Sequence, residues 1–144
     1  MAKSFYILIF LLISGSFSMA MAQFSDHRTI YLFTPRQENE LYHKAVADLE
    51  KAEQALADRD LIIVHVFPDS SIAGNGHKLP IPARELRVEY NITATDFAVI
   101  LVGKDRTVKR SWLNELKPFQ EIFDLIDTMP MRRREMRERG NDEY

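Results

Sequence analysis

Three apolar runs along the chain predict the strands of a sheet. They are Thr29–Thr34, Leu61–Phe67 and Phe97–Val102, and each is short and rich in β-branched or aromatic residues. Runs of this length and composition are typical of strands rather than helices. No polar residue interrupts Phe97–Val102, so we expect helices to cover both of its faces and take it as the central strand.

Apolar residues three or four positions apart predict helices between and after these strands. The longest stripe, within Glu38–Arg59, consists of Leu41, Ala45, Leu49, Ala52 and Leu56. A shorter helix is expected over Ala83–Tyr90, which follows two prolines. The last stripe lies after Pro118 and consists of Phe119, Ile122, Phe123 and Ile126. Each pattern gives a helix one apolar face to place against a sheet.

The remaining segments predict a loop and a hairpin. Pro68–Lys78 is rich in Gly, Ser, Asn and Asp, which favours a loop. Gly103–Arg106 is a turn signal, and Thr107–Trp112 then alternates in polarity. We expect an antiparallel hairpin whose second strand lies at the sheet edge and carries Val108, Arg110 and Trp112 on one face.

The predicted order is therefore β-α-β-α-β-β-α. This order predicts an α/β protein with a thioredoxin-like fold, a four-stranded mixed sheet and helices on both faces. We assign residues 23–131 to this domain and residues 132–144 to a basic C-terminal helical extension or tail.

The first 22 residues have the three parts of a secretory signal peptide. Lys3 provides a positive charge, Phe5–Ile13 is apolar, and Ala20-Met21-Ala22 is a small-x-small cleavage signal. The alternative is a retained membrane anchor, but the apolar core is shorter than the ~20 residues that a spanning helix needs. We expect the leader to be cleaved and the protein to be periplasmic or extracellular, with little membrane contact after cleavage.

Composition excludes several classes of function. The net charge of -2 argues against a nucleic-acid binder, which would be strongly basic. The chain has no cysteine, which excludes thiol–disulfide oxidoreductase and thiol peroxidase chemistry. The histidines, His27, His43, His65 and His77, lack the spacing of a metal site. We therefore expect no metal and no cofactor, and lean against an enzyme.

Polar residues converge where a thioredoxin-like redox enzyme would place its cysteines. The third strand runs antiparallel to the first, so Asp96 should lie beside the exit of the first strand, near Arg36. With Asp69 and His77 from the long loop, these side chains form a candidate binding set for a small anion. The alternative is that Arg36 and Asp96 form an ordinary surface ion pair of little energetic consequence.

The segment Arg132–Arg139 is the most unusual in composition. It could contact an anionic lipid or an acidic partner, each arginine near a membrane contributing about 1 kcal/mol. The alternative is a solvated helical extension. Glu135 and Glu138 dilute its positive charge, so we favour the solvated extension.

Three segments, Asp60–Val64, Asp96–Asp105 and Ile126–Met136, resemble an uncharacterised bacterial exported family, a domain of unknown function. That family is itself similar to the DUDES domain of animal sushi-repeat matrix proteins, and the resemblance covers residues 24–137. Its most specific residues here are Asp127, Met129, Pro130, Met131, Arg132, Arg133 and Glu135. The resemblance implies a thioredoxin-like fold, no established activity, and protein contacts outside cells.

Three hypotheses of function follow. The first is an exported, non-redox module that binds an unknown protein partner in the cell envelope or has a structural role. The second is a small-anion binder or non-thiol enzyme that uses the polar groups around Arg36 and Asp96. The third, weaker hypothesis is peripheral membrane contact through the arginine-rich end.

Overall fold

A computed structural model describes residues 26–74 and 76–141, so the predicted signal peptide lies outside the described residues. The strands are β1 (Arg28–Phe33), β2 (Leu61–Val66), β3 (Ser71–Ala73), β4 (Ala98–Val102) and β5 (Val108–Leu113). The helices are α1 (Glu40–Glu50), α2 (Glu53–Asp58), α3 (Ala83–Glu89), α4 (Gln120–Asp127) and α5 (Pro130–Asn141).

The strands form one mixed sheet in the order β3-β2-β1-β4-β5. β1 is parallel to β2 and antiparallel to β4, and the two outer strands pair antiparallel to their neighbours. Apolar residues of α1, α2 and α4 pack on one face, while α3 packs on the other. Every residue of β4 is buried, which confirms the prediction that this strand is covered on both sides. The prediction that it is the central strand is wrong, because β1 is the middle strand of the five.

The sheet has a fifth strand that we did not predict. Residues Ser71–Ala73, within the predicted loop, pair with β2 after a tight turn in which the Phe67 N–H donates to the Ser70 carbonyl at 2.8 Å. A strand this short is too brief to show alternation, and its neighbours carry loop signals. The composition of this segment therefore predicts its turn but not the pairing of Ser71–Ala73 with β2.

The predicted long helix is two helices. The Asn39 side chain accepts from the Tyr42 N–H at 3.0 Å and begins α1, which ends at Glu50. α2 begins at Glu53, after a break at Lys51 and Ala52. The apolar stripe continues through Ala52, so its period does not reveal the break.

The predicted face of β5 is wrong at its first residue. A bulge between Leu101 and Val102 makes Val102 the partner of Val108, whereas Trp112 pairs with Val99. Paired residues share a face, so Val108 and Trp112 lie on opposite faces. Trp112 is buried against Phe119, and Val108 remains 51% exposed.

Candidate functional site

The carboxyl end of β1 and the loop before β4, which we call the β1 mouth, are joined by a buried arginine. Arg87, from α3, donates from Nη2 to the Thr34 carbonyl at 2.7 Å and from Nη1 to the Thr93 carbonyl at 2.8 Å. Thr34 ends β1 and Thr93 precedes β4. Arg87 therefore fixes the position where a thioredoxin-like redox enzyme would carry its reactive groups.

Arg87 is enclosed by protein. Its residue is only 6% exposed, its guanidinium lies 5.6 Å from the centre of the Phe33 ring, and its Nε is buried without a partner in the described residues. Burial lowers the pKa of Arg87, and the nearby charge of Asp96 partly opposes that shift. Because the other two nitrogens bond to carbonyls, Arg87 braces the mouth and is poorly placed to bind an anion.

Asp96 is held by its own loop. Its Oδ2 accepts from the Thr93 hydroxyl at 2.6 Å and from the Thr93 N–H at 3.1 Å, and its Oδ1 accepts from the Asn114 amide at 2.8 Å. These bonds, led by the Thr93 hydroxyl, lower the pKa of Asp96. Arg36 is exposed, and no ion pair joins it to Asp96 within residues 26–74 and 76–141.

The other two candidate residues lie on the β2–β3 side of the sheet. Asp69 is exposed in the turn after β2, at the same end of the sheet as Thr34. His77 is exposed beyond β3, where its carbonyl accepts from the Ala73 N–H at 2.9 Å. A binding role for Arg36, Asp69, His77 and Asp96 stays a prediction.

A second group of charges lies at the opposite end of the sheet. We call it the charge cluster; its members are Arg28, Asp58, Arg59, Asp60, Lys104, Asp127, Arg132, Glu135 and Arg139. Arg28 and Thr34 are six residues apart along β1, which separates the cluster from the mouth by about 20 Å. Three of the predicted family-motif residues, Asp127, Arg132 and Glu135, belong to this cluster.

Glu135 is bonded to two cations. Arg28 donates to both of its carboxylate oxygens, at 3.1 and 3.2 Å, and Lys104 Nζ donates at 2.8 Å. The Arg28 side chain is 2% exposed and that of Glu135 is 18% exposed. The contact therefore connects α5 to the start of β1 and to the turn after β4 through largely buried, charge-assisted bonds.

Arg132 connects α5 to α4 and to α2. It donates from Nε to Asp127 at 3.2 Å, from Nη1 to the Asp58 carbonyl at 2.7 Å, and from Nη2 to the Asp58 carboxylate. At 2% exposure Arg132 is among the most buried polar residues. The expectation of a solvated extension is therefore wrong for this face of α5, because acidic partners distant in sequence neutralise its arginines.

Burial and pairing with cations shift the pKa values of the cluster's carboxylates in opposite directions. Burial would raise the pKa of Glu135, but hydrogen bonds and charge from Arg28 and Lys104 outweigh it and hold the pKa below its usual value. The pKa of Asp127 is lowered in the same way, by Arg59 and Arg132 against burial. Both groups therefore remain ionised at neutral pH.

The rest of the predicted motif forms the junction between α4 and α5. Pro130 is the first residue of α5, a position where its missing N–H costs nothing. Met129 is partly buried against the core, and with Pro130 and Met131 it lines a cleft of about 100 Å³ beside Lys104. Arg133, by contrast, points outward and is exposed.

The chain belongs to the family described as domain of unknown function DUF4174, whose sequence profile matches residues 20–135. This confirms the predicted family resemblance. A group of three or more residues suited to a metal is absent from the part of the chain that the structure describes. Among the same residues, no helix has the length and apolar character needed to cross a membrane.

Similar proteins come from several organisms. The chain is 31% identical over 118 residues to the human sushi repeat-containing protein SRPX, matching 78% of this chain and 25% of that protein. It is 40% identical over 53 residues to zebrafish coiled-coil domain-containing protein 80, matching 37% of this chain and 6% of that protein. The chain thus spans about a quarter of the length of its sushi-repeat relative.

A solved structure establishes the fold. The reduced 2-Cys peroxiredoxin of Plasmodium vivax superposes with a TM-score of 0.57 at 17% identity, covering 86% of this chain and 85% of that chain. The likeness confirms the predicted thioredoxin-like fold. Since the chain has no cysteine, thiol-based redox chemistry is excluded for it.

Sequence reasoning missed the residues that organise both ends of the sheet. Arg87 lies on a short helix in an ordinary helical pattern, so nothing local marks it as buried. Arg28 and Lys104 each flank an apolar strand, where a charge normally reaches solvent. The one available signal was Glu135, a carboxylate among arginines, because buried cations need anionic partners.

We predict that Glu135→Gln lowers the free energy of unfolding by about 3 kcal/mol at pH 7, because it leaves buried Arg28 without its carboxylate. Since the folded pKa of Glu135 is depressed, its stabilisation is complete above the unfolded value of 4.5 and is lost as pH falls through the folded pKa. In urea unfolding from pH 3 to pH 7, the free energy of unfolding should therefore change less with pH in the variant than in the unaltered chain.

The control for this prediction is Glu138→Gln, which changes an exposed carboxylate of the same helix. It should change the free energy of unfolding by less than about 0.5 kcal/mol. Equal effects of the two substitutions would contradict a structural role for the charge cluster.

We predict that Arg87→Met destabilises the domain by about 2 kcal/mol, because the buried Thr34 carbonyl and the partly buried Thr93 carbonyl lose their donor. The exposed Arg84, one turn earlier on α3, provides the control, and Arg84→Met should be nearly neutral. Thermal unfolding with amide exchange near Thr34 measures both effects. Unchanged exchange at Thr34 in Arg87→Met would refute the bracing role.

Proposed function

We propose that this protein is an exported, non-catalytic module that binds a protein partner by adding an extended partner segment to the open edge of its sheet at β5. The observation that carries the proposal is the outward-facing backbone of this strand. The classes of chemistry that the fold commonly supports depend on thiols, which this chain lacks.

The pairing of β5 with β4 defines which backbone groups face outward. The Asn114 N–H donates to the Phe97 carbonyl at 2.8 Å, and the register continues as Ala98 with Leu113 and Ile100 with Ser111. Hydrogen-bonded and non-hydrogen-bonded pairs alternate in an antiparallel ladder. Ser111 and Leu113 are in the non-bonded pairs, so their N–H and C=O groups point to the open edge.

The side chains along this edge also favour a partner. Leu113 is 55% exposed and Val108 is 51% exposed, which gives an added strand apolar surface to cover. Arg110 is exposed on the same strand, and such a charge discourages two copies from pairing edge to edge. Strand addition combines backbone hydrogen bonds, which give affinity, with side-chain contacts, which give specificity.

Two further observations support the proposed class and location. Arg87 braces the β1 mouth and Asp96 is bonded within its loop, so both groups are occupied by structural hydrogen bonds, which favours a non-catalytic module. The signal-peptide pattern of residues 1–22 favours a periplasmic or extracellular location. The similarity to sushi repeat-containing proteins is consistent with a domain that works among other protein modules.

A photo-crosslinking amino acid at Leu113, in cells producing the full chain, tests the proposal by capturing the partner. The matched position is Glu121, which is exposed on α4. We expect a specific protein adduct from position 113 and none from position 121. A covalent adduct with the same protein from both positions would contradict binding at this edge.

The affinity of the captured partner is then measured for two variants at Ser111. Ser111→Pro removes an outward N–H while leaving the β4 ladder intact, and it should weaken binding at least tenfold. Ser111→Ala keeps that N–H and should change binding less than twofold. Equal affinity of the two variants would refute strand addition.

A further inference from the structure

An apolar groove lies at the other edge of the sheet, between α1, α2 and β2. It has a volume of about 340 Å³, and its apolar walls are Val46, Leu49, Leu56 and Ile63. Glu50 and Glu53 stand beside these walls, at the break between the two helices. The groove is therefore an apolar well with two carboxylates at its rim.

The polar groups of the groove make it selective for positive charge. Glu50 and Glu53 are exposed, and no described residue forms an ion pair with either. His65 also lines the groove, but burial lowers its pKa and Tyr42 is bonded to its Nδ1 at 3.0 Å. The histidine is thus neutral near pH 7, and the rim carries the negative charge alone.

Helix α5 carries the complementary pattern on its outer side. Arg133, Met136, Arg137 and Gly140 follow the spacing i, i+3, i+4, i+7 and form one stripe. The charge-cluster residues Arg132, Glu135 and Arg139 project about a third of a turn away from it. One face of α5 is thereby docked on the domain, while the stripe remains outside.

The stripe has free charges and one exposed apolar side chain. Arg133 and Arg137 are exposed and form no ion pair within the part of the chain that the structure describes. Met136, between them, is 39% exposed, and Gly140 has open space around it. Methionine adapts well to irregular apolar wells. The stripe therefore presents one flexible apolar group flanked by two cations.

We propose that the groove of one molecule receives the α5 stripe of a second copy of this chain. Met136 enters the apolar well, and Arg133 and Arg137 pair with Glu50 and Glu53. Glu50 and Glu53 line the same groove, and the i, i+4 spacing of the arginines on α5 places their side chains about 5 to 6 Å apart, so two charged pairs can form at one rim. The contact joins two different surfaces, so it is head-to-tail and forms a ring or an open chain.

A membrane is a poorer occupant for the arginine stripe. The arginines would be attracted to an anionic surface by charge alone, and a single exposed methionine adds little insertion. The groove would also remain empty in that arrangement. Pairing with a second copy covers both features at once.

The test is sedimentation equilibrium of the full chain lacking its leader, with two charge reversals. We expect concentration-dependent association that weakens as salt is raised. Glu50→Lys with Glu53→Lys, and separately Arg133→Glu with Arg137→Glu, should each weaken association at least tenfold. Arg134→Glu, an exposed residue outside the stripe, should leave it within twofold.

Combining the two charge reversals distinguishes this contact from a general effect of charge on self-association. A mixture of the two reversed variants, or one chain carrying all four reversals, should regain association to within threefold of the unaltered chain. A monomer at every concentration, or no recovery in the mixture, would overturn the proposal. Binding to vesicles containing phosphatidylglycerol by a chain that stays monomeric would overturn it in favour of a membrane.

The contact is independent of the proposed β5 edge. Ser111→Pro should leave self-association unchanged, whereas the four reversals should leave partner binding at β5 unchanged. Failure of one proposal can therefore be distinguished from failure of the other. Loss of self-association in Ser111→Pro would contradict the groove as its site.

Discussion

The carboxylate of Glu135, held between Arg28 and Lys104, is the interaction on which the C-terminal part of the structure depends. A buried arginine is costly unless an anion neutralises it, so the start of β1 requires a carboxylate at this position. Helix α5 supplies it. The same helix supplies Arg132 to Asp58 and Asp127, which completes its attachment. The predicted motif residues Asp127, Arg132 and Glu135 thus attach α5 to the domain.

This attachment explains why one helix has two kinds of arginine. The arginines that point inward form ion pairs with Asp58 and Asp127, while those that point outward form no ion pair in the described residues. The division follows the helical period of 3.6 residues and is invisible in the net charge of the segment. At the opposite end of the sheet, Arg87 closes the mouth by bonding two backbone carbonyls. The fold is shared with redox enzymes, but its functional position holds structural groups.

The pattern of apolar residues predicted the strands and helices whose burial is visible in the local sequence. The apolar run of β4, the strands β1 and β2 and the stripe of α4 were correct because burial imposes a period on them. The third strand was missed because three residues are too few to show alternation, and the bulge beside Val108 was missed because it depends on how β5 pairs with β4 and leaves no mark on the local pattern. One partner of Arg132, Asp58, lies 74 residues away, so composition alone suggested a solvated tail. The candidate residues Arg36, Asp69, His77 and Asp96 were chosen from topology, which gives nearness but not hydrogen bonds.

Two exposed surfaces then carry the functional account: the outward backbone of β5 and the groove that complements α5. The outward backbone of β5 gives a domain without catalytic thiols a mode of binding. Amide hydrogen exchange of the isolated chain, followed by NMR at Arg110, Ser111, Trp112 and Leu113, tests it most directly. We expect slow exchange at Arg110 and Trp112 and fast exchange at Ser111 and Leu113. Equal protection of all four amides would contradict an open edge.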